Sequence, residues 1–437
     1  MNVLQPKIGF ATIVSAYEVG VDTAASHKKA TSILESEGLI VSSFNKLIDS
    51  DKTASEAVDY LARQNVDAVC LLYGTYADDT YATTTIEGLR LPAVIWGTNE
   101  FDTGSTPAAQ QVSEVLTEMN LNYKSVLGDL DDTDAIRQVK ILARAAAAKK
   151  RLFNCRVGVI GYPRIKGQTQ AAVDEVELRI RLGTRIVGVG MDLLKILMSE
   201  IRDEDALQIW REFSEGAGNV SVNREQIMDA VKAYLATKRI VQEKELNAIT
   251  IEHWNELIGI PNLAFSLLNE EGIPAGCEGD VHATLTLYLL YLLTGRPAFH
   301  GELLGVLKEQ DALLVGHYGA GAPSLAPSRR EISLEPDRSP MGRGVSVVYQ
   351  IRPGQVTIAS LTGRRGSYRM MIAPGESIRA PQVFHGGIVA NVRFRTNYRQ
   401  VLDQANGMSH HWMLGLGDVS QELVEYCRIS GIKSVTV

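Results

Sequence analysis

Cysteine is scarce and scattered: Cys70, Cys155, Cys277 and Cys427 are the four in 437 residues, and no two form a Cys-x-x-Cys pair. Neither a thiolate zinc site nor a disulfide framework is expected, which leaves buried free thiols as the simpler reading. Long apolar runs are missing too. The longest nearly apolar one, residues 285–293, falls far short of the ~18 residues a membrane-spanning helix needs. The opening stretch, Met1 to Lys7, has no basic leader followed by an apolar core, so a cytoplasmic location is expected. After the strand-like run at 156–161, the loop 162–168 carries neither G-x-G-x-x-G nor G-x-x-x-x-G-K-[ST], the usual phosphate cradles. Internal repeats and low-complexity linkers are likewise absent.

Lysine almost disappears from the C-terminal quarter. From Ala326 onward there are thirteen arginines and one lysine against eight acidic residues, in a chain whose net charge is −7. These arginines are scattered between strand-like segments and form no run, so a nucleic-acid footprint is not expected. Guanidinium groups do bind phosphate, sulfonate or carboxylate through paired hydrogen bonds. Arg364, Arg365, Arg369 and Arg393 are therefore candidates for selecting an anionic ligand over a neutral one, with surface ion pairing as the plainer alternative.

With 45% hydrophobic and 22% charged residues, the composition is that of a globular protein. At roughly 100–200 residues per domain, three domains are expected: 1–150, 151–325 and 326–437. Residues 1–150 alternate near-continuous apolar runs (8–14, 39–41, 67–72, 92–96) with helical stretches, the pattern of a parallel sheet covered on both faces. A long helical stretch at 134–150 leads into a second α/β unit that opens with the strand 156–161. Beyond Pro323 and Pro327 the runs become short and alternating, as at 345–349, 355–359 and 389–394, and indicate an antiparallel barrel or sandwich. A helix at 420–430 and a strand at 432–437 end the chain. The expected fold is thus two doubly wound α/β domains followed by a barrel-like domain.

Seven of the eight histidines fall between His253 and His411, which places the chemistry in the second half. Asp280 is suited to cap the apolar helix 281–293 that ends at Thr294-Gly295, and this puts Glu278 in the turn before it. Glu302 follows a short strand-like piece, and His317 ends the run Leu313-Leu314-Val315-Gly316. Two carboxylates and an imidazole beside rigid elements are the parts of a divalent-metal site with acid/base capacity. His410-His411 supplies a further pair.

The segments Glu-Glu-Gly-Ile-Pro-Ala-Gly-Cys-Glu-Gly-Asp (270–280), Asp-Ala-Leu-Leu-Val-Gly-His (311–317) and Ser409-His410-His411-Trp412 resemble the L-fucose isomerase and L-arabinose isomerase family. The resemblance implies an aldose–ketose isomerase acting through an enediol, with a divalent metal, manganese first and magnesium or cobalt as alternatives. It maps the glutamate of the Glu-Gly-Asp turn, metal ligand and acid/base residue, onto Glu278, and the second carboxylate onto Glu302. The C-terminal histidine ligand corresponds to His411, with His410 as the alternative; the arabinose branch adds one that matches His317. It also implies a homo-oligomer with active sites near subunit interfaces. Fucose and arabinose features are mixed, so the chain reads as a divergent member.

Candidate sugar contacts are Arg164 and Gln168 in one loop, Tyr76 in the loop 73–79 after an apolar strand, and His385. Competing readings are another metal-assisted enediol reaction, epimerisation or an aldol step, on the same scaffold, and a sugar-binding protein without chemistry.

Overall fold

A computed structural model describes residues 4–15, 22–99, 102–165, 167–254, 256–338 and 343–437. Lys166, in the loop expected to touch substrate, and Met1 to Val3 of the opening stretch lie outside them. The chain divides into two compact units, Leu4–Lys150 and Arg151–Val437.

In the first unit, strands β1 (Lys7–Ile13), β2 (Ile40–Ser43), β3 (Ala68–Tyr73), β4 (Ala93–Gly97) and β5 (Tyr123–Leu127) form an all-parallel sheet in the order 2-1-3-4-5. That is a doubly wound, flavodoxin-like order. β3 and β4 are buried along their whole length, which is why they read as unbroken apolar runs and not as alternating ones.

The second unit opens with another parallel sheet. β6 (Arg156–Ile160), β7 (Arg185–Val189), β9 (Ala248–Ile251) and β10 (Ala275–Cys277) lie in the order 10-9-6-7, while β8 (Asn219–Val220) belongs elsewhere. The remaining strands are β11 (Phe299–Leu307), β12 (Ala312–His317), β13 (Ser333–Pro336), β14 (Val345–Gln350), β15 (Gly354–Arg364), β16 (Ser367–Ile378), β17 (Ile388–Phe394), β18 (His411–Leu416) and β19 (Lys433–Thr436). Six of them close on themselves: β16, β15, β18, β11, β12 and β17 pair antiparallel in turn, and β17 pairs back to β16. Closure leaves no open edge among the six. β14, β13 and β8 extend the sheet beyond β17, and β19 adds to β16.

The barrel-like part was expected to begin at residue 326, yet it takes β11 and β12 from before that point. β11 is also longer than the short strand-like piece foreseen before Glu302, and it continues past a bulge between Leu303 and Gly305. Alternation along the barrel strands sends Phe299, Leu313, Val315, Ile358, Met371, Ala390, Val392, Trp412 and Leu414 into one buried core. The intervening residues of β18 and β11 face the other way.

The helix Val281–Thr294 packs against β18 and β15 on one side and against β9 and β10 on the other. This position between two sheets accounts for a helix that is apolar all round. Its ends are as foreseen: Asp280 caps the start through a hydrogen bond from the Ala283 N–H, and Gly295 ends it in the left-handed conformation.

Just before the cap, Glu278 and Gly279 both have positive φ, +63° and +70°. A Cβ on Gly279 would lie 2.6 Å from the Tyr162 carbonyl oxygen and 2.7 Å from the Arg164 nitrogen, so glycine lets this turn sit directly on the loop after β6. Gly279→Ala is expected to lower stability by about 1–3 kcal/mol through backbone strain alone, with the clash adding to it. Urea unfolding followed by far-UV circular dichroism checks this; an unchanged midpoint would mean that turn and loop separate freely.

Candidate metal and active site

Three loops at the C-terminal edge of the second parallel sheet converge on one point. The loop after β6 supplies Gln168, the segment after β9 supplies Trp254, and the turn after β10 supplies Glu278. Crevices outside strand C-termini are where ligands bind in open α/β sheets, and here the outer face of the barrel closes the crevice.

The barrel's register sets the opposite wall. Glu302 on β11 lies directly across from His411 on β18 and from Gly316 on β12, next to His317. Directly opposed residues of an antiparallel pair share a face with Cβ atoms about 5 Å apart.

The resulting cluster is tight. His411 Nε2 stands 3.4 Å from Glu278 Oε2 and 3.5 Å from Glu302 Oε1, and His317 Nε2 lies 4.0 Å from Glu278 Oε1. One ligand atom from each of Glu278, Glu302, His317 and His411 lies within 4.8 Å of the others. Glu278, His317 and His411 are buried. Glu278 is held from both sides, by the Trp254 indole N–H at 3.0 Å and by the Gln168 amide.

Asp280 has two tasks. Its Oδ1 accepts the helix-capping N–H of Ala283 at 3.0 Å, and its Oδ2 lies 2.8 Å from His411 Nδ1. A carboxylate on Nδ1 draws the proton to that nitrogen and aims Nε2, which has no hydrogen-bond partner, between the two glutamates. Metal-bound histidines are commonly oriented this way.

A second set of three imidazoles, His300, His317 and His411, also lies within reach of one ion. His300 Nδ1 accepts the Cys277 backbone N–H at 3.3 Å, which assigns its proton to Nε2 and removes that atom as a ligand. The carboxylate-containing set is therefore the one that fits a cation.

The charges agree with this. Burial resists ionisation of Glu278, but the adjacent His411 and His317 imidazoles and the Gln168 amide outweigh it and hold the carboxyl down at about 2. Glu302 is likewise held well below the usual carboxylate range, against burial, chiefly by His410 and His411. For His411 burial disfavours the charged form, yet the hydrogen bond to Asp280 and the adjacent carboxylates of Glu278 and Glu302 raise its affinity for a proton well above the ordinary value. Two ionised carboxylates pulling on one point are what a dication requires. A buried cluster of this kind can hold a metal ion.

Around it is a cavity of 530 Å³ lined by Ile165, Trp254, Ile258, Tyr318, Asp337 and Arg338, together with Gln168, His410 and, of the cluster, Glu278, Glu302 and His317. This is within the roughly 300–1,000 Å³ of small-molecule sites. His410 lies on the rim, its Nε2 3.4 Å from Glu302 Oε1.

Other candidates lie elsewhere. Arg164 does not line the cavity; its guanidinium sits over the Tyr162 ring and donates to the Ile165 carbonyl. His385 is not among the lining residues either. Tyr76 belongs to the first unit, where its hydroxyl donates to Gln111. None of Arg364, Arg365, Arg369 and Arg393 reaches this cavity, and the arginine that does is Arg338.

Sequence reasoning missed Trp254, His300 and the second task of Asp280. A signal for His300 existed, since residues 300 and 302 of one strand share a face. Cys277, beside His253, has a thiol that burial pushes far up, so it acts as packing and not as a nucleophile.

No family model matches the chain. It is 25% identical to a sulfoquinovose isomerase of Alkalicoccus urumqiensis over 85% of this chain and 86% of that one. It is 26% identical to a sulfoquinovose isomerase of Priestia aryabhattai over 89% and 90%. With an L-arabinose isomerase of Nocardioides sp. the identity is 22% over 90% and 84%. Fold and site together define an α/β protein with a carboxylate–imidazole centre set between a parallel sheet and a closed barrel. The similarity to these sugar isomerases over most of both chains is consistent with a divergent member of the arabinose/fucose isomerase family.

Asp280→Asn keeps a side-chain oxygen for the helix cap but loses the charge on His411 Nδ1. Divalent-cation affinity, read by calorimetric titration, is expected to fall about 10- to 100-fold with the unfolding midpoint little changed. Undiminished affinity would remove Asp280 from the site.

Proposed function

We propose that the chain is a divalent-metal-dependent aldose–ketose isomerase working through an enediol. The observation that carries this is the buried, unpartnered Nε2 of His411, aimed by Asp280 at the point where Glu278 and Glu302 meet. A divalent cation, manganese first with magnesium or cobalt as alternatives, would be held by Glu278, Glu302, His411 and His317, and supplies Lewis-acid stabilisation of the developing oxyanion.

The rest falls to the chain's own groups. Isomerisation moves a proton between C1 and C2, so it needs a base at one carbon and an acid at the neighbouring oxygen. Glu278 and Glu302 flank the same point from the sheet side and the barrel side, and they take these roles. Gln168 and Trp254 hold Glu278 in place with one N–H each, leaving its carboxylate oriented toward the cavity. His410 stands at the rim within reach of Glu302. Trp254, Ile258 and Tyr318 cover the sugar and limit water.

The sugars in the relatives' names, sulfoquinovose and L-arabinose, one anionic and one neutral, are the first substrates to test. The same reading carries a homo-oligomer with active sites near subunit interfaces and a cytoplasmic location. It also keeps three working parts, 1–150, 151–325 and 326–437, the last borrowing β11 and β12.

Metal analysis of the purified protein and an aldose panel monitored for ketose test the reading directly. Glu278→Gln is expected to abolish turnover and weaken metal binding with the fold intact; normal metal content with a near-normal rate would sink the assignment. Glu302→Gln is expected to slow turnover at least ~100-fold, the scale for losing an acid/base group, and a rate close to the parent's would move the second carboxylate elsewhere. His411→Ala should lower metal affinity more than His410→Ala, and the reverse order in a titration would exchange their roles.

A further inference from the structure

The hairpin joining β15 to β16 carries Arg364 and Arg369 on one face. Thr362 pairs with Arg369 and Arg364 with Ser367 across it, and residues two apart on a strand share a side. Two guanidinium groups and two hydroxyls therefore project together. They face the segment Thr169-Gln170 and the turn Gly407 to Ser409 across a cleft of 400 Å³ that no carboxylate lines.

Both arginines are anchored by backbone carbonyls and not by acids. Arg364 donates from Nη2 to the Thr169 oxygen at 2.6 Å and the Gln170 oxygen at 3.1 Å, and Arg369 donates to the Gly407 oxygen. Each guanidinium has five N–H donors, so most remain for a ligand, and the fork is already oriented. The nearby acid Glu177 spends both oxygens on the backbone N–H groups of Arg365 and Gly366. The two positive charges thus lack a counter-ion among the described residues.

The cleft shares its wall with the metal-type site. Gln168 bonds Glu278, while Gln170, two residues on, lines the cleft and lies 3.2 Å from His410 Nδ1. Ser409, also in the cleft, accepts the backbone N–H of His411. We propose that this cleft binds a tetrahedral oxyanion of the sulfate, phosphate or sulfonate class, and that occupancy is felt at His410 and His411 through the shared wall. Arg364 and Arg369 hold the anion, and the hydroxyls of Thr362, Ser367 and Ser409 complete its hydrogen bonds. The binding half stands apart from the isomerase reading, and only the kinetic half rests on it.

The test begins with inorganic sulfate and phosphate titrated calorimetrically into the full chain, at ionic strength held constant with chloride. Saturable one-to-one binding is expected, weakened about tenfold in Arg364→Gln and in Arg369→Gln for the loss of charged hydrogen bonds and absent in the double variant. Arg364→Lys, which keeps charge but loses the fork, should fall between the parent and Arg364→Gln. Unchanged circular dichroism and unfolding midpoints of the variants without added oxyanion tie the loss to the site. Binding no tighter than chloride's, or a double variant that binds like the parent, overturns the proposal. Turnover then identifies the source. An anion carried by the substrate makes sulfate competitive against an aldose sulfonate, whose KM rises in the double variant while a neutral aldose is unaffected. A free ion instead changes turnover of the neutral aldose, and the double variant abolishes that change.

Discussion

The carboxylate of Asp280 joins the two halves of the site, and most of what surrounds it follows from that join. One oxygen begins the helix that lies between the parallel sheet and the barrel; the other takes the Nδ1 proton of a histidine on the barrel. A buried carboxylate with only one of these partners would be poorly satisfied. With both, the sheet-side turn and the barrel strand are tied in register, and the next ring nitrogen is aimed at the glutamates. The left-handed turn at Glu278 and Gly279 is the geometric condition for this, since it lets Glu278 and the helix cap stand two residues apart and face the same point.

The fold supplies each side of the centre by a different rule. On the sheet side, parallel strands end together, and the loops beyond their C-termini gather Gln168, Trp254 and Glu278. On the barrel side, antiparallel register places Glu302 opposite His411, with His317 beside them at the end of β12. The sheet-side contacts depend on turn conformation, the barrel-side contacts on strand pairing. A cation pulled by both sets of carboxylates would lock the two layers together, so its binding and the order of the crevice are linked.

The charge pattern has the same two-part character. Around the metal-type centre, negative charge is concentrated and buried, and it draws either a proton on His411 or a dication. Across the wall formed by residues 168–170 and 409–411, Arg364 and Arg369 of the β15–β16 hairpin form a field of opposite sign without acidic partners among the described residues. Residues 168–170 and 409–411 contribute to both places, Gln168, His410 and His411 to the centre and Thr169, Gln170 and Ser409 to the cleft.

Much of this was legible in the residues alone. Continuous apolar runs separated by helical periods determined the parallel sheets, because a strand buried on both faces has no polar side to show. The apolar stretch after Asp280 and the Gly295 stop determined the central helix and both its ends. The carboxylates and histidines stood out because charged groups beside long apolar elements are costly to bury without a task. The sequence could not place residues that meet only through strand pairing and loop convergence. Glu302 and His411 are more than a hundred residues apart, and their contact is set by barrel closure. Trp254 reaches Glu278 because two parallel strands end side by side, and His300 is excluded as a ligand by a single hydrogen bond from the Cys277 backbone. The arginine bias was visible as composition, but which arginines share a face, and that they gather beside the carboxylate-lined cavity and not in it, was decided by the register of one hairpin. Local chemistry is written in neighbouring residues; distance and direction between far-apart side chains arise only when the sheets close and the helix is pinned between them.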